Sequence, residues 1–86
     1  MAGGSTKIKP YGDALLADGF EAALLGFGFQ FNAAVAIYDY EACIDILRDR
    51  DGMSEDGALE FFEFNVVGAY MGPNTPVFMT KIELIR

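Results

Sequence analysis

The sequence predicts a small α+β domain in which an αα-hairpin packs on a two- or three-stranded sheet, in the order α-β-α-α-β. Three observations carry that prediction. Tyr40, Cys43, Ile44 and Leu47 recur at helical spacing just after Asp39. A second helical run follows across Gly52 and Ser54, with apolar residues at 58, 62, 66 and 69. Two β-rich runs, residues 34–38 and 76–85, bracket the pair.

In chain order, residues 1–10 read as a flexible tail, small and polar, with Lys7-Ile8-Lys9 as a short extended piece, and residues 11–86 as the domain. Asp18 and Glu21 form a capping-box pattern. They predict a helix over residues 19–26 with Phe20, Ala23, Leu24 and Phe27 as its buried stripe. Next, Leu25, Phe27, Phe29 and Phe31 alternate with Gly26, Gly28, Gln30 and Asn32. Alternation suggests an edge strand, and the two glycines weaken it to an ordered aromatic-rich connection. Residues 34–38 are a short continuous apolar run, as in a buried strand.

Asp39 is placed to cap the next helix, with Glu41, Asp45, Arg48 and Asp49 facing water. Gly52 suits the left-handed position that ends it, and Ser54 suits the cap of the following helix, with Glu55 and Asp56 at its positive end. That second helix should run over residues 55–70 and stop at Gly72-Pro73. Beyond its stripe it carries Leu59, Phe61, Phe64, Val67 and Tyr70, so it needs cover on several sides, from the chain, a second copy or a target. The last strand, residues 76–85, should place Phe78, Thr80, Ile82 and Leu84 on one side and pair with residues 34–38. Two strands leave open edges. Residues 7–9, residues 27–31 or a second subunit would supply a third.

Composition narrows function by exclusion. A net charge of −7 over 86 residues, with only six lysines and arginines, argues against phosphate neutralisation and so against direct nucleic-acid binding. It argues equally against an anionic membrane surface. With no long apolar run and no apolar centre near the start, the expected location is the cytoplasm. The single cysteine, Cys43, fits a reducing compartment. Histidine is absent, which removes Ser-His, Cys-His and His-metal chemistry. No catalytic residue, metal site or cofactor is expected.

From Val35 onward the text carries Tyr38-Asp-Tyr-Glu-Ala-Cys-Ile44, Arg50-Asp-Gly-Met-Ser54, Glu60-Phe-Phe-Glu-Phe-Asn-Val-Val-Gly-Ala-Tyr70 and Thr75-Pro-Val-Phe78. It resembles a group of small uncharacterised proteins of bacteriophage, prophage and bacterial genomes, over about residues 18–78. The resemblance implies a phage-type accessory protein living in the host cytoplasm, and it carries no catalytic residue onto any position here.

The sharpest candidate feature is electrostatic. Between Asp39 and Glu63 lie nine acidic and two basic residues, net −7, while the rest of the chain sums to zero. Glu41, Asp45, Asp49, Glu60 and Glu63 are therefore candidates for contact with a basic surface on a host or phage protein, and the resemblance to phage proteins implies a host-defence component inhibited by that contact. The plainer reading of the same charges is a solvated helix face that keeps the protein soluble. A rival functional reading is a small-ligand or nucleotide-sequestering pocket formed by Phe29, Phe31, Tyr38, Asn65 and Tyr70. Asn65 also reads as a latch on residues 73–75. A homo-oligomer is expected from the surplus apolar surface. Asp49, Asp51 and Glu60 fall at positions 1, 3 and 12 of a calcium-loop template, but Met53 and Ser54 stand where that template needs a ligand and a glycine. Gly26-Phe-Gly28 is only a fragment of a dinucleotide fingerprint. Cys43 reads as core.

Overall fold

A computed structural model describes residues 11–83. The expected tail, Lys7-Ile8-Lys9 within it, and Leu84 and Ile85 of the expected last strand lie outside those residues. Three strands form one sheet in the order β1-β2-β3: β1 is Leu24–Gln30, β2 Ala33–Asp39 and β3 Val77–Met79. Between β2 and β3 run the helices α1, Tyr40–Asp51, and α2, Glu55–Phe62. The described order is thus β-β-α-α-β, a helical hairpin on a mixed sheet.

The expected first helix is replaced by one 3-10 turn, Glu21–Ala23, followed directly by β1. A Glu21 carboxylate oxygen does accept from the Gly19 amide at 3.3 Å, but that bond closes a single turn. From Leu24 onward the alternating aromatics pair antiparallel with β2, Phe27 opposite Ala36 and Phe29 opposite Ala34, and this ladder outcompetes a four-residue helical stripe. Gly28 has a role in that ladder. A Cβ there would sit 3.0 Å from Ile37 Cδ1, so the glycine makes room for its neighbour across the strands. Phe31 occupies the hairpin turn at φ 58, where glycine or asparagine is usual, at a strain on the order of 1–3 kcal/mol.

The buried strand and the hairpin form as the sequence predicts. Asp39 accepts from the amides of Glu41 and Ala42 at 3.1 and 3.3 Å, capping α1. Gly52 ends that helix at φ 68, and the Ser54 hydroxyl accepts from the Gly57 amide at 3.1 Å to begin α2. The second helix departs from expectation at its end. After Phe62 it widens into a π-helical segment, Glu63–Val67, with the Gly68 amide bonded to the Glu63 carbonyl at 3.1 Å. β3 is shorter than the expected strand. It pairs in parallel with the end of β2, Tyr38 opposite Phe78. Thr80 and Ile82, expected beside Phe78, are exposed.

The core lies where the hairpin meets the sheet. Phe62 is fully buried, with the rings of Phe20, Tyr40 and Phe78 packed edge-on at 5.5, 5.3 and 4.9 Å. Tyr38 is equally buried, and its hydroxyl accepts the Ala17 amide at 2.7 Å, which ties the N-terminal segment down. Burial raises its pKa, against the pull of that amide. The latch assigned to Asn65 belongs instead to Asn74. Its side-chain amide donates to the Ala34 carbonyl at 2.9 Å, its backbone carbonyl accepts from the Leu15 amide at 3.2 Å, and Thr75 closes the same loop.

Truncating Phe62→Ala should cost about 3–5 kcal/mol in urea unfolding, because three rings would then face a void; stability like that of the parent chain would contradict this packing. A second prediction concerns acid. The Asp39 carboxyl is desolvated, which pushes its pKa up, but bonds from the Ala42 and Glu41 amides and from Lys81, 3.3 Å away, outweigh that and hold it below 3.8. A depressed folded pKa gives stability that is present above the unfolded value and lost as pH falls through the folded one. Asp39→Asn keeps a capping side chain without the charge. Urea midpoints should therefore fall less between pH 5 and pH 2 for this variant than for the parent, and equal losses would remove Asp39 from the account.

Candidate functional site

The two helices place their acidic side chains by simple periodicity. On α1, Glu41, Asp45 and Asp49 are four apart and share an exposed face, opposite buried Cys43, Ile44 and Leu47. Glu60 and Glu63 are exposed on the second helix and its π-helical continuation. Between the helices runs a groove of about 380 Å³ whose floor is Tyr40, Ile44 and Leu59 and whose rim carries Glu41, Asp45 and Glu55. Arg48 is the one cation lining it among the described residues.

The structure thus brings together part of the expected acidic set. Glu41 and Asp45 line the groove, while Asp49 and Glu60 stand exposed outside it. Glu63 accepts a hydrogen bond from the Tyr40 hydroxyl, and the Tyr40 pKa is raised chiefly by that bond. Glu55 joins the rim although sequence reasoning gave it only a helix-dipole role; its position at the start of the second helix, facing the first across a short turn, was the available signal. The other basic residue of this region faces elsewhere. Arg50 donates to the Gly19 carbonyl at 2.8 Å, pairs with Asp51 at 3.0 Å and lies 5.6 Å from the centre of the Phe20 ring.

An apolar strip adjoins the acidic side chains. Phe61 and Val67 are each 40% exposed and Phe64 is 78% exposed, at three-residue intervals from the last turn of α2 into the π-helical segment. Glu60 lies one helical turn from Phe64. The described residues therefore leave much of the second helix uncovered. The arrangement offers apolar contact next to carboxylates, as an amphipathic basic segment would require.

The aromatic pocket does not assemble from the residues expected to form it. Tyr38 is in the core and Asn65 is exposed, its amide donating to the Phe61 carbonyl one turn back at 3.1 Å. Phe29 packs on Tyr11, ring centroids 5.3 Å apart, and is outside the cavities around the loop. Phe31 and Tyr70 do meet, across a cavity of about 380 Å³ walled by Pro73, Thr75 and Pro76. Those two rings are 94% and 78% exposed, so a small molecule between them would stay largely in water.

The remaining motifs settle into structural positions. Gly26-Phe-Gly28 lies within β1, and residues 49–60 form a helix end, a turn and a capped helix. Cys43 is fully buried, and burial, with Asp39 nearby, pushes its thiol up to about 12. No helix among the described residues is long and apolar enough to cross a membrane. No protein-family model matches the chain, and no curated protein or solved structure matches it.

Proposed function

We propose that this protein is a non-enzymatic accessory protein that acts by binding another protein through its helical hairpin. The observation that carries the reading is the groove between α1 and α2, where an apolar floor is rimmed by three carboxylates and one guanidinium. Such a groove suits a basic amphipathic segment. The apolar side of that segment would lie on Ile44 and Leu59, and its lysines or arginines would reach Glu41, Asp45 and Glu55. A separate exposed strip, Phe61, Phe64 and Val67, lies beside Glu60 on the second helix and its continuation.

A chain without histidine, whose only thiol is buried, supports binding rather than turnover. The resemblance to small phage and prophage proteins supports a partner in the host cytoplasm, with inhibition of a host defence protein as the consequence of binding. The second reading, a ligand held between Phe31 and Tyr70, has one observation in its favour, the cavity they share. It lacks enclosure, so the hairpin is the stronger site.

A basic amphipathic peptide of alternating lysine and leucine turns, titrated into isotope-labelled protein, tests the reading. Amide shifts should centre on residues 40–59 and weaken steeply with added salt. Shifts confined to residues 70–77, or none, would reject it. Asp45→Asn with Asp49→Asn should leave thermal unfolding within about 0.5 kcal/mol of the parent, since both are exposed. It should slow association several-fold at low salt. An unchanged association rate would argue that charge does not steer the encounter.

A further inference from the structure

We propose that two copies of this chain join edge to edge along β1, antiparallel about a two-fold axis at Gly28, to make one continuous six-stranded sheet. β1 is an edge strand: only β2 pairs with it, and its outward backbone groups meet no backbone partner among the described residues. Soluble proteins guard such edges with charge, proline or brevity. Residues 24–30, Leu-Leu-Gly-Phe-Gly-Phe-Gln, contain no charge and no proline, and the strand is seven residues long. The opposite edge, β3, has three residues and is followed within two positions by Lys81, which is bound to Asp39.

An antiparallel pairing of a strand with itself is self-complementary, so one surface serves both copies. With the axis at Gly28, Phe27 faces Phe29 of the partner subunit on both sides of the axis, aromatic against aromatic, and Gly26 faces Gln30 of the partner subunit; Leu25, at the bulge, and Phe31, in the turn, flank the pairing. The area suffices. Tyr11, Leu25, Phe29 and Phe31 are 49, 49, 64 and 94% exposed. They present on the order of 500 Å² per copy for side chains of roughly 200 Å² each, and the backbone edge brings this toward the ~800 Å² per partner of a stable interface.

Charge selects this face over the other apolar surface. Joining two copies through Phe61, Phe64 and Val67 would bring Glu60 and Glu63 of each chain against their counterparts. β1 itself carries no charged residue, and the whole net charge of −7 lies outside this strand, between Asp39 and Glu63. The dimer would leave both acidic hairpins free.

Light scattering on the full chain over a dilution series should give twice the 9.4 kDa chain mass, falling to the single mass only on strong dilution. Leu25→Lys with Phe29→Lys should be monomeric at the same concentrations with an unchanged circular dichroism spectrum. On a sample mixing labelled and unlabelled parent chains, Hα–Hα Overhauser contacts should connect β1 of one copy to β1 of the other. A monomeric parent chain, a folded double variant that dimerises as well as the parent, or contacts running from β1 to residues 7–9 of its own chain would each overturn the proposal.

Discussion

The structure depends on the burial of one ring. Phe62 is the last residue of α2, and it meets Phe20 from the N-terminal segment, Tyr40 from the start of α1 and Phe78 from β3. Four separate parts of the chain therefore share one desolvated contact. Each edge-on pair of this kind contributes about 0.5–1.5 kcal/mol beyond the area it buries. The sheet alone could not hold the hairpin. β3 contributes only three residues to the ladder, and Phe78 is the one that touches both Phe62 and Tyr38.

How much of this was legible depended on whether the deciding contact was local. Asp39, Gly52 and Ser54 cap or end their helices through groups no more than five residues away, so the hairpin is legible with its caps and turn. Phe62 could be placed in the core from its spacing with Ala58 and Val66. The strand at residues 24–30 could not. Asp18 and Glu21 are a valid local signal for a helix, and what overrode it was pairing with residues 33–39, which lies in the fold rather than in the segment. The π-helical widening after Phe62 has no signature in Glu-Phe-Asn-Val-Val. Nor does the left-handed turn at Phe31, since phenylalanine is among the residues least suited to it. A polar residue in an apolar helix marks Asn65 as a latch, whereas Asn74, which holds the loop, has no sequence feature that distinguishes it from other loop residues. Asn65 needed no latch: the surface around it is exposed, and its amide is satisfied one turn back.

The same physics divides the surface. Each acidic residue between Asp39 and Glu63 is carried on or beside the hairpin, while β1 is left neutral and aromatic. A hydrophobic chain with mean hydropathy +0.24 can stay dispersed when its charge lies on one structural unit and its unpaired edge lies on another. On the reading proposed above, the two surfaces have separate uses, the hairpin groove for a basic partner and the strand edge for a second copy. Both uses require the hairpin to be held rigidly on the sheet, since a groove between two helices persists only if their spacing does.

Native-state hydrogen exchange in low urea measures that rigidity directly. If Phe62 locks hairpin to sheet, the slowest amides of β2, α1 and α2 should converge on one opening free energy, equal to that of global unfolding. If the amides of α1 and α2 open at a distinctly lower free energy while those of β2 stay protected, the hairpin detaches on its own, and the Phe62 contact is not what holds the molecule together.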